Sequence, residues 1–204
     1  MKALQAPLFI LFSFCIQPIL NAQDCDCPAN QVIKAEPGKE GAVVSFPQKA
    51  SPCDPFTYTP ASGTFFRLGS HSIIGTTAGG KKCSFTLTVT DNESPTLTPI
   101  TLSRETLWPA SGKLKKVKVN YTATDNAQDV KTAISVSSNT SDGVKDWEIV
   151  DDHLVRLKAS RLNDGSPRIY TITVTATDEA GNKTTRTTTL AVSQTMKAKP
   201  IPVK

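Results

Sequence analysis

Hydrophobic and polar residues alternate along much of this chain. The segments FTLTVT, VKVNYTAT, ISVSSNT and YTITVTAT all repeat with a period of two. This period places successive side chains on opposite faces of a strand, and the many threonines favour strands over helices. No stretch after residue 22 has a helical period. The pattern therefore predicts an all-β protein.

The segment YTITVTATDEAGN combines a long strand with an acidic turn. Alternation predicts that one face of the strand is core and that the other is a solvent-facing threonine stripe. The predicted core residues of this strand are Tyr170, Ile172, Val174 and Ala176, and the stripe is Thr171, Thr173, Thr175 and Thr177. Further core candidates in this half are Trp108, Val117, Val119, Tyr121, Trp147 and Ile149.

The first 22 residues differ from the rest. A positive charge at Lys2 precedes an apolar stretch, and the small residue Ala22 precedes the expected cut. This is the pattern of a secretory signal peptide. We therefore expect a secreted, extracellular protein without membrane insertion, whose formal net charge falls from +5 to +4 when Lys2 is removed.

The remaining cysteines all lie before residue 84, and the second half has none. The segment VTDNESPTLTP, with two prolines that cannot donate ladder hydrogen bonds, separates the halves. In the second half, six or seven short strands divided by turns are typical of a sandwich. We predict a signal peptide at 1–22, β-sandwiches at 23–95 and 96–194, and a disordered tail at 195–204.

The first half resembles the HYR (hyalin repeat) domain over residues 26–95. The resemblance is carried, in the family's order, by CPAN, PASGTFFRLGSHSI and CSFTLTVTDNESP. It implies an immunoglobulin-like sandwich and a role in extracellular adhesion. One departure is GTTAGGKKCSF, which stands where the family has a longer turn, so we expect a truncated or irregular penultimate strand.

The second half is similar to an immunoglobulin-like module that often accompanies HYR domains in bacterial secreted proteins. The similarity is carried by LWPASGKLKKVKVNYTATDNA, DWEI and RIYTITVTATDEAGN. It implies the fold and the compartment, since that module has no established activity. The expected fold class is therefore all-β, with two tandem immunoglobulin-like β-sandwich domains after a signal peptide.

An even number of cysteines in an exported chain predicts disulfides. In such a sandwich the first and last strands can run parallel, which would pair Cys27 with Cys83 and leave Cys25 for Cys53. Pairing Cys53 with Cys83 is the alternative, and it would leave Cys25 with Cys27. The sequence leaves these connectivities open.

Acidic residues end several strands. Asp125 and Asp178 close the repeated phrase TATD, and Asp91 closes VTD. Asp178, Gly181 and Asn182 suit a tight turn, because glycine accepts positive φ and short polar side chains bond to nearby backbone. The competing hypothesis is a calcium site formed by Asp125, Asp178 and Asn182, since calcium prefers oxygen ligands. No other cofactor is expected.

The charge pattern and the motifs bear on function. Lysines cluster in SGKLKKVKV, which indicates either a solvated strand face or affinity for acidic polysaccharide; without interleaved aromatic residues, nucleic acid is not expected. No nucleophile elbow and no HExxH motif is present. We therefore expect a non-enzymatic binding or adhesion module whose partner is an extracellular protein or glycan. The alternatives are a structural spacer and a small secreted hydrolase.

Overall fold

The computed structural model describes residues 27–48, 55–126, 129–140 and 146–194. All regular structure in these residues is β-strand, as the alternation predicted, and none of them forms a helix that could span a membrane. The predicted signal peptide, Cys25, Cys53 and the predicted tail lie outside the described residues.

The first sandwich is built from six strands. A sheet of order β1-β6-β5-β3 faces the two-stranded sheet β2-β4. The strands are β1 (Gln31–Lys34), β2 (Gly41–Val44), β3 (Thr57–Thr59), β4 (Thr64–Arg67), β5 (Gly69–Thr76) and β6 (Lys82–Thr90).

The second sandwich has two four-stranded sheets, β13-β14-β10-β8 and β12-β15-β16-β9, and a small β11-β7 sheet. Its strands are β7 (Thr96–Leu97), β8 (Thr101–Leu102), β9 (Thr106–Leu107), β10 (Leu114–Asn120), β11 (Ala123–Thr124), β12 (Lys131–Ser138), β13 (Trp147–Asp151), β14 (Leu154–Lys158), β15 (Ile169–Thr177) and β16 (Lys183–Val192).

Both halves use the same chain path to close the sandwich. In the first, β1 pairs in parallel with the last strand, β6. In the second, β9 pairs in parallel with the last strand, β16. All other strand pairs described in the two sandwiches are antiparallel. The protein is thus all-β, with two immunoglobulin-like sandwiches in tandem.

Each sandwich has its own hydrophobic core. The first is rich in aromatic rings, of which Phe56 and Tyr58 stack and the other pairs meet edge-to-face or tilted. Its aromatic members are Phe46, Phe56, Tyr58, Phe66 and Phe85. The second is mostly aliphatic, with Tyr170 as its fully buried aromatic residue. The two cores fall on either side of the predicted boundary at 95/96, and the boundary itself stays a prediction.

The predicted disulfide between Cys27 and Cys83 is confirmed. Its Cα atoms are 5.5 Å apart, and it ties the residues before β1 to the start of β6. The alternative pairing of Cys83 with Cys53 is therefore wrong. By the chain-entropy estimate, closing a loop with a sequence separation of 56 residues stabilises the fold by about 4 kcal/mol.

The predicted irregular penultimate strand is wrong. β5 pairs with β6 at every position from Gly69 to Thr76. The glycine-rich stretch follows this strand as a turn, in which Gly80 N–H donates to Thr77 O. The departure from the HYR pattern therefore lies in a turn and leaves the strand intact.

The core prediction for β15 is confirmed, because all four residues of its inner face are fully buried. The threonines of the other face are half-buried, since β12 and β16 flank this strand on both sides. Val117 and Val119 are fully buried, and Tyr121 and Trp147 pack against the core while partly exposed.

Two of the predicted core residues are at the surface. Trp108 is 40% exposed because its indole N–H donates to Gln194 O at the rim of the sandwich. Ile149 is 41% exposed and lies on the edge strand β13, where the pairing register shifts between Ile149 and Asp151. Alternation predicted burial for both residues. It does not account for the polar partner that the Trp108 indole needs, nor for the bulge in the edge strand at Ile149.

Candidate functional site

The ends of three strands meet where the two sandwiches touch. Asp91 follows β6 of the first sandwich, Asp125 follows β11 and Asp178 follows β15. Carboxylate oxygens of these three residues all lie within 4.8 Å of one another. We call this set the junction cluster.

Burial is uneven across the junction cluster. Asp178 is 6% exposed, whereas Asp91 and Asp125 are half-buried. Among the described residues, no ion pair joins a lysine or arginine to Asp91 or Asp178. Like charges at this separation repel each other, so a cation between them would be electrostatically favoured.

The turn after β15 holds Asp178 in place. Asn182 N–H donates to Asp178 Oδ1 at 2.8 Å, and the Asn182 side-chain amide donates to Oδ2, also at 2.8 Å. Gly181 completes the turn with φ of 93°, a conformation that glycine adopts without strain. The sequence therefore encodes both a tight turn and an oriented carboxylate.

Asn182, the third predicted ligand, serves in this turn as a hydrogen-bond donor to Asp178. Its contribution to a metal site stays a prediction. The structure brings Asp125 and Asp178 together as the calcium hypothesis requires, and it adds Asp91, which the hypothesis had left out of the ligand set.

The β1–β2 turn of the first sandwich is hydrogen-bonded both to the second sandwich and to the end of its own. Asn126 Nδ2 donates to Lys39 O at 3.1 Å, and Gly38 N–H donates to Glu93 Oε2 at 2.8 Å. Hydrogen bonds from the Lys39 side chain and from Val43 N–H hold the pKa of Glu36 in the same turn below its ordinary value. The turn is thus tied both to its own sandwich and to the second one.

Asn126 also carries an unsatisfied oxygen. Its Oδ1 is buried and has no hydrogen-bond partner among the described residues. Such an atom costs free energy unless something binds it. Sequence reasoning missed Asn126, although the phrase TDN places an asparagine directly after both Asp91 and Asp125.

Two open clefts flank the contact between the sandwiches. One, of about 510 Å³, is lined by Leu68, Gly69, Val89, Thr90, Asp91, Asp178, Glu179 and Ala180. The other, of about 380 Å³, is lined by Gly38, Glu93, Ser94, Thr96, Thr124, Asp125 and Asn126. Because members of the junction cluster line both clefts, a hydrated ion has a route to them from solvent.

Both histidines bond to backbone carbonyls. His71 Nε2 lies 2.7 Å from Arg67 O, and His153 Nδ1 lies 3.0 Å from Val119 O. His153 also stacks on Tyr121, with ring centroids 4.4 Å apart. In the described part of the chain, neither histidine is hydrogen-bonded to a serine, threonine or cysteine side chain, as an activated nucleophile would require.

Comparisons with known proteins concern the fold alone. No family model matches the chain, and no curated protein matches it. Among solved structures, immunoglobulin domains 1–4 of Sidekick-1 align with a TM-score of 0.43 and 11% identity over 83% of this chain and 48% of that one. The N-terminal eight immunoglobulin domains of the Down syndrome cell adhesion molecule give 0.39 and 14%, over 79% of this chain and 23% of that one.

Cadherin repeats are also similar. Drosophila N-cadherin EC1-3 aligns with a TM-score of 0.35 and 15% identity, over 80% of this chain and 64% of that one. The chain thus spans about half of the Sidekick-1 structure and less than two thirds of the other two.

Proposed function

We propose that this protein is a non-catalytic binding module of the adhesion type that acts outside the cell. Its first sandwich is of the HYR type, and calcium at the junction cluster fixes the two sandwiches relative to each other. The observation that carries the proposal is the meeting of Asp91, Asp125 and Asp178 within 4.8 Å, with one residue from the first half and two from the second.

The donor set suits calcium. Carboxylates and amide carbonyls are hard oxygen ligands, and calcium accepts six to eight of them in flexible geometry. The three carboxylates each offer an oxygen, and the buried Oδ1 of Asn126, the next residue after Asp125 in the chain, is a further candidate ligand. Magnesium demands a stricter octahedron and loses its waters reluctantly, so it is the weaker candidate.

The extracellular assignment is supported by the disulfide between Cys27 and Cys83, because such bonds persist in oxidising compartments. The binding role is supported by the architecture, in which two sandwiches present strand edges and loops around a fixed junction. The HYR assignment rests on the motif CPAN directly before β1, on the motifs that form β4, the start of β5 and most of β6, and on the disulfide between Cys27 and Cys83.

The test is a thermal melt of residues 23–204 in calcium and in chelator. At a calcium concentration about 100 times Kd, binding to the folded state adds about 2.7 kcal/mol, which raises Tm on the order of 10 °C. Asp125→Asn should abolish this rise. Magnesium or sodium chloride at the same ionic strength should not reproduce it.

Asp129→Asn is the matched control. Asp129 follows the same strand end as Asp125 but lies outside the junction cluster, so its variant should keep the full calcium response. A wild-type melt that is the same in calcium and in chelator would refute the calcium junction. So would an Asp125→Asn melt with an unchanged response.

A further inference from the structure

The second sandwich presents a row of cations on the outer face of one sheet. Lys116 and Lys118 of β10 are exposed, whereas the alternate residues Val117 and Val119 point into the core and are fully buried. In the pairing register Lys116 lies directly opposite Arg156 of β14. Like charges placed directly opposite each other destabilise a strand pair. Fold stability therefore gives no reason for this arrangement.

The charge of this row is largely uncompensated. Arg156 pairs with Glu148 of β13 at 3.0 Å, and both side chains are well exposed. Within the described ranges, Lys116, Lys118 and Arg104 take part in no ion pair. We call Arg104, Lys116, Lys118 and Arg156 the basic face.

The basic face contains a shallow depression of about 460 Å³, lined by Ser103, Arg104, Lys116, Lys118 and Leu154. Arg104 Nε donates to Lys116 O at 3.2 Å, so this guanidinium is held along the edge of β10. Ser103 Oγ accepts a hydrogen bond from Lys118 N–H at 2.9 Å, which fixes the adjoining segment. A cation held in advance loses less side-chain entropy when it binds an anion.

The shape and chemistry of this surface fit an extended polymer with regularly placed anions. Lys116 and Lys118 are about 7 Å apart along the strand, since alternate residues of a strand are two rises of 3.2–3.4 Å apart. Leu154, opposite Lys118, offers an apolar surface to the carbon face of a sugar ring. Flexible ammonium groups bind as point charges and so tolerate variation in anion spacing.

Nucleic acid fits this surface less well. Single-stranded nucleic acids bind through bases stacked on aromatic rings. β10 and β14 contain no aromatic residue, and Trp147 of the neighbouring strand β13 packs against the core.

We propose that the basic face binds a linear acidic polysaccharide through its sulfate or carboxylate groups. This inference rests on the proposed function, because it names the partner class of that binding module. It concerns only the second sandwich and a surface formed without the junction cluster.

The experiment measures the affinity of residues 23–204 for three polymers at low and high salt. The probes are heparin as a sulfated polysaccharide, alginate as a carboxylated one and dextran as a neutral one. We expect binding to heparin, alginate or both that weakens at high salt, with no binding to dextran. The stronger of the two acidic polymers identifies the anionic group.

The test variant is Lys116→Gln with Lys118→Gln, which should weaken binding roughly tenfold. The matched control is Lys131→Gln with Lys183→Gln, which removes the same charge from exposed positions on the opposite sheet of the same sandwich. The control should bind as the wild type does. Glu148→Gln frees Arg156 and should bind more tightly than the wild type.

Three results would overturn the inference. The first is no binding to either acidic polymer at low salt by a chain whose tryptophan fluorescence and Tm are normal. The second is equal weakening in the test and control variants, which would mean that net charge alone is sensed. The third is equal or tighter binding of a single-stranded oligonucleotide through the same two lysines, which would assign the face to nucleic acid.

The outcomes for the two proposals can be separated by repeating the binding in chelator. If calcium does not raise the Tm but the protein binds the polysaccharide, only the junction proposal is refuted. If calcium raises the Tm but the protein does not bind the polysaccharide, only the proposal for the basic face is refuted.

Discussion

The two sandwiches share a chain path but are stabilised by different means. The first has a small core rich in aromatic rings and a disulfide that ties the residues before its first strand to the start of its last strand. The second has a larger aliphatic core, no cysteine, and a buried ion pair between Asp146 and Arg168. The same topology is therefore stabilised by a disulfide in one sandwich and by a larger core with a buried ion pair in the other.

The buried ion pair belongs to a compact network at the end of the second sandwich. Asp146 also contacts the Lys158 ammonium at 3.1 Å, and the Tyr170 hydroxyl lies within hydrogen-bonding distance of the Asp146 and Lys158 carbonyls. Arg168 donates through Nε to Ser160 O. These contacts join β14, β15 and Asp146, which directly precedes β13. The described residues of the first sandwich contain no equivalent network.

The largest difference between the sandwiches should appear when this pair is broken. Asp146→Asn removes the charge that balances Arg168, which is only 5% exposed, so the second sandwich should lose about 3 to 5 kcal/mol. Urea unfolding followed by tryptophan fluorescence reports on this half alone, since both tryptophans lie in it.

Glu148→Gln is the control for that change, because it breaks the exposed pair with Arg156. Its cost should stay below about 1 kcal/mol. Equal losses in the two variants would show that burial of the Asp146–Arg168 pair has no energetic consequence.

Removing the disulfide should destabilise the first sandwich and leave the stability of the second unchanged. Cys27→Ala with Cys83→Ala should cost the first sandwich about 4 kcal/mol, because the loop between them regains its entropy in the unfolded state. Calorimetry in chelator should show the first transition at a lower temperature, with the tryptophan-detected transition of the second sandwich unmoved. Equal shifts of both transitions would contradict independent stabilisation of the two halves.

Alkaline pH should affect the second sandwich through Tyr170. Burial raises the pKa of its phenol to about 12 from an ordinary value of 10.0. The unfolded state therefore ionises first, and stability that is fully present below pH 10 is lost as the pH rises towards 12, by roughly 2 to 3 kcal/mol.

Tyr170→Phe isolates that contribution. At neutral pH it should cost about 1 kcal/mol through the lost hydroxyl hydrogen bond. Between about pH 10 and pH 12 the variant should lose less stability than the wild type. The check is the urea midpoint of each protein at both ends of this range, and parallel losses would contradict the assignment to Tyr170.

Sequence periodicity was sufficient where a strand is regular and lies in the middle of a sheet. The inner face of β15 was predicted residue by residue, because β12 and β16 hold it in register along its length. Periodicity failed for Ile149, where the edge strand bulges, and for Trp108, where the indole bonds to a rim carbonyl. Those departures depend on neighbouring strands, which local alternation does not encode.

The junction illustrates the same limit. Acidic strand ends at Asp125 and Asp178 could be identified from the repeated TATD phrase. The approach of Asp91 depends on how the end of β6 meets the second sandwich, and the unsatisfied Asn126 oxygen depends on a contact with Lys39 of the first. Contacts between residues as distant in sequence as Lys39 and Asn126 require the packed arrangement of both halves.

The parallel pairing of β1 with β6 has a mechanical consequence. Tension along the tandem enters the first sandwich near Cys27 and leaves beyond Thr90, so it would slide these two strands past each other and load all their hydrogen bonds together. The covalent link from Cys27 to Cys83 also carries force directly into β6, and the chain between these cysteines is shielded from stretching. The second sandwich, whose β9 and β16 are paired over only two residues, has no such bypass in its described residues and is the half that would extend first under load.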